Sequence, residues 1–307
     1  TVHIYDRYDR AGGLLIYGIP NFKLEKQVVA RRVARLEEAG IVFHQNCEAG
    51  RDIEFAELRD RHHAVLIATG VYTSRDLAAL GIGLGNIHQA LDYLTASNRK
   101  GLGDAVPAFD DGTLNAQDRD VVVIGGGDTA MDCVRTAVRQ GAKSVKCLYR
   151  RDRENMPGSL REVSHAEEEG VEFVWLSQPE AFIGDSAVTG VHAQRIHLGM
   201  PDADGRQQPQ PVEGSSDTIE ADLVIKALGF DPEDLPKLFG VPDLPVTDWG
   251  TVSVSWRTMI TALPGVFAAG DIVRGASLVV WGIYDGRKAA ESIHSYIQSR
   301  VTADVAD

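Results

Sequence analysis

A glycine-rich turn stands between a hydrophobic strand and a helix in the stretch VVVIGGGDTAMD. It contains the pattern Gly125-x-Gly127-x-x-Ala130, and the small size of each of these three residues serves a purpose in a dinucleotide site. Gly125 permits a tight turn, Gly127 lets backbone approach a pyrophosphate, and Ala130 lets the helix pack closely on the strand. The free N–H groups at the helix start attract negative charge. The stretch therefore predicts a dinucleotide site, and a purely structural glycine turn is the alternative.

The next strand, SVKCLY, ends in basic residues. Arg150 and Arg151 stand where an NAD site would present an acidic residue. A carboxylate there bonds a free 2′-hydroxyl and repels a 2′-phosphate, whereas guanidinium groups bind phosphate in a bidentate manner. The two arginines therefore predict NADPH, with a solvated basic loop as the alternative.

Asp6 is the contrasting case, because it ends a strand that we expect to be buried at residues 2–5. A carboxylate at a strand end suits an unphosphorylated ribose such as that of FAD, although a plain surface residue explains Asp6 equally well. Gly270 and Asp271 repeat the pattern before a helix, where Asp271 could also be a helix cap. A stretch after Asp6 would bring backbone close to a cofactor: Gly12, Gly13, Leu14 and Leu15.

Strands and helices alternate along most of the chain, which indicates α/β units with a largely parallel sheet. Residues 98–118 are rich in Gly, Asp and Asn and look like a domain boundary. Strands are predicted at 41–44, 64–70 (fully buried), 120–124, 144–149, 171–175, 223–229 (buried) and 266–271, with a polar hairpin region around 201–211. Helices are predicted at 24–38, from the glycine turn to about 140, at 160–169, and in an amphipathic segment ending near residue 299.

The 307 residues are enough for about two domains, and 44% hydrophobic with 24% charged residues is ordinary for a soluble protein. A net charge of −13 argues against nucleic acid as a partner. No apolar stretch reaches the length of a membrane span, and the start lacks a secretory signal pattern. The composition therefore predicts a cytoplasmic protein with no membrane partner.

The three cysteines, Cys47, Cys133 and Cys147, form no CxxC pair. Their spacing argues against a disulfide framework, a zinc site or an iron–sulfur site made by this chain alone. We expect all three to be buried, inert thiols. The chain also offers no Ser/His/Asp or Cys/His set, so neither a catalytic side chain nor a metal ligand is predicted.

Four stretches together resemble one known family: YDRYDRAGGLLIYGIPNFKLEK, IGGGDTAMDCVRTAVRQGA, YRRDRENMPGSLREVSHAEEEGVEF and FAAGDIVRGASLVVWGIYDGRKAAESI. They resemble the small (beta) subunits of NADPH-dependent glutamate synthase, from residue 2 to about residue 300. The resemblance implies an α/β fold of two Rossmann-like nucleotide-binding domains, with the NADPH domain inserted in an incomplete FAD domain. The implied segments are 1–103 and 231–307 for FAD and 104–230 for NADPH.

The resemblance also implies the chemistry. Hydride passes from NADPH to FAD, and single electrons then pass through iron–sulfur clusters to a large (alpha) subunit that makes glutamate from glutamine and 2-oxoglutarate. The residues implied to lie along FAD are Asp6, Gly13, Leu14, Thr69, Gly70, Gly270 and Asp271. The residues implied to hold NADPH are Gly125, Gly127, Asp128, Thr129, Ala130, Arg150 and Arg151, and Gly229 is a further cofactor-binding candidate.

Two departures from the family stand out. Its cysteine-rich, cluster-binding N-terminal domain is absent from this sequence, and so is the first FAD strand with its glycine loop. We therefore expect an FAD site that is incomplete in this chain and [4Fe-4S] clusters only in the missing domain. The alternatives are an electron-input subunit of a related flavoprotein (dihydropyrimidine dehydrogenase-like or ferredoxin-NADP reductase-like) and a flavin-free NADPH-binding module. A thioredoxin reductase would require a CxxC pair.

This expectation predicts how the purified 307-residue chain behaves. It binds NADPH but holds FAD weakly, because the loop that grips the FAD pyrophosphate is not in the sequence. Flavin absorbance of the purified protein, before and after gel filtration, measures the retained cofactor. A tightly bound yellow cofactor at full stoichiometry would contradict the expectation.

Overall fold

The computed structural model describes residues 1–202 and 207–306, and it confirms the α/β class. The chain forms two compact units, each assembled from separate segments. The first contains Thr1–Ala11, Ala34–Arg75 and the described chain from Phe230 onward. The second contains Gly12–Val33 and Asp76–Gly229.

The strands follow one another along both units. In chain order they are β1 (His3–Asp6), β2 (Val42–Gln45), β3 (Val65–Ile67), β4 (Thr73–Ser74), β5 (Ile87–Gln89), β6 (Asp120–Ile124), β7 (Ser144–Tyr149), β8 (Glu172–Trp175), β9 (Ser177–Gly184), β10 (Val188–Pro201), β11 (Gln207–Pro211), β12 (Asp217–Glu220), β13 (Leu223–Lys226), β14 (Phe230–Asp231) and β15 (Val266–Ala268).

The helices range from single turns to one long C-terminal helix. In chain order they are α1 (Leu14–Tyr17), α2 (Lys26–Glu38), α3 (Phe55–Arg61), α4 (Ala90–Gly101), α5 (Pro107–Asp110), α6 (Asp128–Arg139), α7 (Leu160–Glu168), α8 (Leu235–Leu238), α9 (Asp271–Arg274) and α10 (Val279–Ala306). None of the described helices is long and apolar enough to cross a membrane.

The second unit is built on a parallel sheet with the strand order β5-β13-β6-β7-β8. Its central strand β6 is apolar on both faces, as a strand covered on both sides must be. Val121 and Val123 face a core that contains Met131 and Val134 of α6. Val122 and Ile124 face the opposite core, formed with β9 and β10. The sheet is therefore a buried middle layer that fixes the end of β6.

The layer on that second face is an antiparallel sheet in which β10 pairs with β9, β11 and β12. The sequence predicted only a polar hairpin region around 201–211, where β11 now lies and where residues 203–206 fall outside the described part. The 14-residue strand β10 was not predicted. It alternates buried and exposed residues, so only half of its side chains carry an apolar signal.

The first unit contains three two-stranded sheets, which pair β1 with β2, β3 with β15, and β4 with β14. The strand predicted as buried at 2–5 is shifted by one residue to His3–Asp6, and the one predicted at 64–70 is shorter, at Val65–Ile67; both are more open than expected. His3 is exposed, and Leu66 retains 38% exposure. Successive side chains of a strand point to opposite faces of its sheet, and Ile67 next to Leu66 is only 3% exposed, so one face of β3 is covered and the other is open. The core of this unit contains Ile67 together with the stacked rings of Phe55 and Phe239.

The predicted boundary at 98–118 is wrong at its start, because α4 continues through it to Gly101. Asn98 is buried and donates its amide to the carbonyls of Tyr17, at 2.9 Å, and Gly18, at 3.3 Å. These bonds hold the 12–33 segment to α4. The second unit therefore extends beyond 104–230, and the assignment of each segment to a cofactor stays a prediction.

Burial of the cysteines agrees with expectation at two of three positions. Cys133 and Cys147 are buried, and burial raises the pKa of both thiols, that of Cys147 to about 12. Cys47 is partly exposed, so the expectation of burial is wrong there. Within the described ranges, no group of three or more His, Cys, Asp or Glu side chains could hold a metal ion.

An ionic network ties α6 and α7 of the second unit together. The Arg135 guanidinium bonds Glu162 at 2.6 Å and Glu169 at 2.7 Å, and Arg139 also bonds Glu169. The hydrogen bonds and charges of Arg139 and Arg135 lower the pKa of Glu169 to about 2, although burial opposes them. The folded state therefore favours the charged form of Glu169, and this charged form stabilises the fold.

The substitution Glu169→Gln should lower the free energy of unfolding at pH 7 by about 2 kcal/mol, between the values for exposed and buried pairs. Since the folded pKa is depressed, the contribution is complete above the unfolded pKa near 4.5 and is lost as pH falls toward 2. Urea unfolding at several pH values measures this. Glu172→Gln is the matched control, because Glu172 is 67% exposed and lies 4.0 Å from Lys146. Equal losses in both variants would contradict the prediction.

Candidate dinucleotide-binding site

The glycine turn lies at the carboxyl end of β6, the middle strand of the parallel sheet. In open parallel sheets, ligands bind at this edge, where neighbouring strands connect in opposite directions. Gly125 has a φ of 147°, and a Cβ there would lie 2.2 Å from the Ala227 carbonyl oxygen. Only glycine fits, and the turn is therefore pressed against the chain that follows β13.

The other two glycines of the turn differ in what surrounds them. A Cβ on Gly126 would lie 2.3 Å from the Tyr149 ring, whereas a Cβ on Gly127 would have nothing within 4 Å. Gly127 caps the N-terminus of α6, where free N–H groups favour an anion. The open space beside Gly127 is therefore a cradle that a side chain would fill.

The predicted residues of α6 occupy its first turn. Asp128 and Thr129 are partly exposed, and Ala130 is fully buried against the sheet. The Asp128 carboxylate accepts a hydrogen bond from the Ser159 backbone N–H at 3.0 Å. This bond ties the acidic side chain in the first turn of α6 to the backbone of Ser159. The backbone N–H groups at the start of α6 are therefore the groups that suit a phosphate.

The segment 152–159, here called the clamp loop, follows β7 and packs on the glycine turn. Tyr149 donates its hydroxyl to the Asn155 carbonyl at 3.0 Å. Gly158 donates its N–H to the Gly126 carbonyl at 2.9 Å. Sequence reasoning did not assign Tyr149, Gly158 or Ser159 to the site. The only signal was the NMPG sequence, which carried part of the family resemblance.

The arginines lie between β7 and the clamp loop. Arg150 is exposed and Arg151 is half-buried, and the Arg151 Nε is buried without a hydrogen-bond partner among the described residues. Burial raises the pKa of the Tyr149 hydroxyl, while Arg151 and Arg150 lower it, so both guanidinium charges act on that end of the ring. Arg153 is already paired with Glu167 at 2.7 Å. Arg150 and Arg151 are therefore the cations that suit a phosphate.

Five further predicted positions belong to the second unit. Gly229 has a φ of 94° in the segment after β13, the neighbour of β6. Gly12 has a φ of 124°, and Gly13 has a φ of 52° and caps α1, which begins with Leu14 and Leu15. A Cβ on Gly12 would lie 2.8 Å from Val29. The turn geometry requires these glycines, and their contact with a cofactor stays a prediction.

The predicted carboxylates of the first unit are both half-buried. Asp6 accepts a hydrogen bond from the Tyr8 N–H at 2.9 Å, and Asp271 accepts one from the Ser277 backbone. Burial raises the pKa of both carboxyl groups above the usual value. Gly270 precedes Asp271 with a φ of 78°. Asp6 ends β1, whereas Asp271 begins α9, because the strand predicted to reach 271 ends at Ala268. An additional hydroxyl donor would favour the charged form of either carboxylate.

The first unit brings several predicted residues together. The Ala269 N–H bonds the Ile67 carbonyl at 3.0 Å, so the turns after the parallel strands β3 and β15 are adjacent. Those turns carry four predicted residues: exposed Thr69, partly buried Gly70, Gly270 and Asp271. A Cβ on Gly70 would lie 3.2 Å from the ring of Tyr72.

The end of β1 reaches the same place through residues that sequence reasoning missed. The Arg7 guanidinium lies 4.7 Å from the centre of the Tyr72 ring and bonds Glu233 at 2.8 Å. Burial raises the pKa of Tyr72, and the charge of Asp6 contributes a smaller increase. No sequence signal indicated these contacts, because Arg7 and Glu233 are 226 positions apart.

A parallel sheet whose central strand ends in a glycine turn at a helix N-terminus is the architecture of a dinucleotide-binding protein. The sequence matches the family described as pyridine nucleotide-disulphide oxidoreductase over residues 21–294, and the chain belongs to this family of oxidoreductases.

Curated relatives narrow the similarity. The chain is 67% identical over 305 residues to the glutamate synthase [NADPH] small chain of Azospirillum brasilense, covering 99% of this chain and 63% of the relative. It is 66% identical to the putative glutamate synthase [NADPH] small chain of Cereibacter sphaeroides, covering 96% of this chain and 71% of that protein. The chain thus spans about two thirds of the length of these relatives.

Solved structures agree on the fold. Mycobacterium tuberculosis FprA in complex with NADPH matches with a TM-score of 0.79 at 18% identity, over 100% of this chain and 79% of that one. The thioredoxin reductase of T. acidophilum matches with a TM-score of 0.70 at 20% identity, over 96% of this chain and 90% of that one. At such identities the likeness concerns the fold alone.

The three adjacent glycines provide a matched pair of substitutions. Gly127→Ala should change the free energy of unfolding by less than about 1 kcal/mol, because its Cβ meets no protein atom, yet weaken dinucleotide binding about tenfold by filling the cradle. Gly126→Ala should lower the free energy of unfolding by about 2 kcal/mol, because its Cβ overlaps the Tyr149 ring. Urea unfolding and NADPH titration measure the two effects. Unchanged NADPH affinity in Gly127→Ala would refute the cradle.

Proposed function

We propose that this protein is the NADPH-oxidising flavoprotein module of a glutamate synthase. It takes electrons from NADPH through FAD toward iron–sulfur clusters and a large (alpha) subunit, which forms glutamate from glutamine and 2-oxoglutarate. One observation carries the nucleotide part of the proposal. The buried Arg151 Nε has no partner in the described structure and lies one strand away from an open glycine cradle.

The residues of the second unit fit NADPH. The N–H groups around Gly127, Asp128 and Thr129 would hold the pyrophosphate, with Gly125 and Ala130 keeping strand and helix close enough to do so. Arg150 and Arg151 would bind the 2′-phosphate with several N–H donors. Since the whole chain carries a net charge of −13, this local pair of cations supplies the attraction for an anionic ligand.

The residues of the first unit fit an unphosphorylated ribose and backbone-bound groups of FAD. Asp6 and Asp271 offer carboxylate acceptors, while Thr69, Gly70 and Gly270 offer turns at the carboxyl ends of β3 and β15. When bound, the flavin accepts hydride and releases single electrons. The chain's own part is to bind and orient the cofactors, and no side chain is assigned a chemical step.

The relatives support the assignment of acceptor and partner. Their names include both NADPH and the small chain of glutamate synthase, and a small chain implies a larger partner subunit. We assign the [4Fe-4S] clusters to a part of the assembly outside this chain, and the protein to the cytoplasm. Transfer to a dihydropyrimidine or to ferredoxin has no specific observation in its favour.

The substitution of both Arg150 and Arg151 by Asp tests the nucleotide assignment. The double variant should lose its preference for NADPH and bind NADH at least as well, because carboxylates repel the 2′-phosphate and bond the 2′-hydroxyl. We expect the ratio of the dissociation constants for NADH and NADPH to fall about a hundredfold or more. Titrations monitored by nicotinamide fluorescence measure the ratio.

Arg153→Ala is the matched control, because it removes a neighbouring cation that is already paired with Glu167. It should leave the ratio within about twofold. A double variant that keeps the original discrimination would overturn the assignment of the 2′-phosphate to these arginines.

A further inference from the structure

An acidic residue follows the two arginines directly, which is unexpected at a site for a phosphorylated ribose. Asp152 lies on the clamp loop, next to Arg151, and is only partly exposed. A free carboxylate here would compete with the 2′-phosphate for the guanidinium groups, or would repel it. It would also be an acceptor for the hydroxyl of NADH.

The structure shows what occupies this carboxylate. The Asp152 Oδ1 accepts two hydrogen bonds from one residue, from the Asn155 backbone N–H at 2.9 Å and from the Asn155 side-chain amide at 2.8 Å. The carboxylate is thereby held within its own loop. Asn155 is placed for this by the Tyr149 hydroxyl, which bonds its carbonyl at 3.0 Å.

We propose that Asn155 is a specificity-determining residue: it holds the Asp152 carboxylate away from Arg150 and Arg151 and so leaves both cations to the 2′-phosphate of NADPH. Asn155 is a positioning residue, because it acts through Asp152 and not by touching the nucleotide. The inference rests on the proposed binding of NADPH by the two arginines. In addition to that binding, the proposal names Asn155 as the group that keeps Arg150 and Arg151 available to the phosphate.

The side-chain bond can be removed without removing the others. In Asn155→Ala the backbone N–H still reaches Asp152 and the backbone carbonyl still accepts from Tyr149, so the main anchors of the clamp loop remain. The Gly158 and Ser159 N–H bonds to the glycine turn also remain. Only the amide is lost, together with its longer contact of 3.4 Å to the Gln207 side chain.

A double-mutant cycle on the purified protein tests the proposal. The variants are Asn155→Ala, Asp152→Asn and the two combined. Gln207→Ala is a control that removes the longer contact to Asn155 and the Gln207 bond to the Gly199 carbonyl at 3.1 Å, and leaves the Asn155 bonds to Asp152 in place. Dissociation constants for NADPH and for NADH are measured by nicotinamide fluorescence. Asn155→Ala should weaken NADPH binding about tenfold and leave NADH binding within about twofold.

The other variants separate the explanations. Asp152→Asn and Gln207→Ala should keep the preference for NADPH, and the combined variant should recover it, because no carboxylate is left to restrain. If Asn155→Ala weakens both nucleotides equally, or if the combined variant does not recover, Asn155 only holds the loop and the proposal is wrong. A parent protein that does not prefer NADPH would instead refute the proposed function, independently of Asn155.

Discussion

The packing of the Tyr149 ring against Gly126 is the contact on which the nucleotide site depends. The ring lies where a side chain at position 126 would be, so the turn after β6 and the end of β7 can approach only because that residue is glycine. The hydroxyl of the same ring bonds the clamp loop at Asn155. One aromatic side chain thus sets the spacing between the helix N-terminus and the arginines. The open space beside Gly127 and the two arginines are therefore held in register by one side chain.

The proposed ribose sites of the two units differ in local charge. In the second unit, the acidic side chains near the site are engaged by hydrogen bonds: Asp128 by Ser159, and Asp152 by Asn155. Arg150 is exposed, and the Arg151 Nε has no partner among the described residues. In the first unit Arg7 is paired with Glu233, while Asp6, at the end of β1, and Asp271, at the start of α9, each accept a backbone hydrogen bond. The proposed contrast therefore lies in the charge of the side chains themselves, arginines in the second unit and carboxylates in the first.

The sequence predicts the central elements well because their signals are local. β6 and β7 have the predicted bounds, since their apolar residues run into glycine or arginine at a defined end. The antiparallel sheet was missed because β10 buries only some of its residues and its alternation is broken at Gly190 and Val191. The openness of Leu66 depends on what covers its face of the sheet, which no local pattern records.

The candidate site divides along the same line. Gly125, Gly127 and the two arginines could be predicted, since each answers to a chemical requirement at a fixed spacing. The Asn155 amide on Asp152 could not, because it depends on the path of the clamp loop. The pairing of Arg7 with Glu233 joins positions 226 residues apart, and only folding brings them together.

The network around α6 and α7 has a consequence for local opening. Lys23 reaches it from the 12–33 segment, bonding Asp132 at 2.7 Å and Glu162 at 3.0 Å, and the neighbouring Phe22 ring lies under Arg135 and Arg139. The free-energy cost of removing charged groups from water falls as temperature rises, because the hydration of the separated charges becomes less favourable. Ion pairs of this kind therefore keep more of their stability on warming. Residues 22 and 23 should then detach late as the protein is heated. In hydrogen exchange, the Lys23 amide, which bonds the Pro20 carbonyl at 3.0 Å, would report the opening of this network and not the fraying of a surface segment.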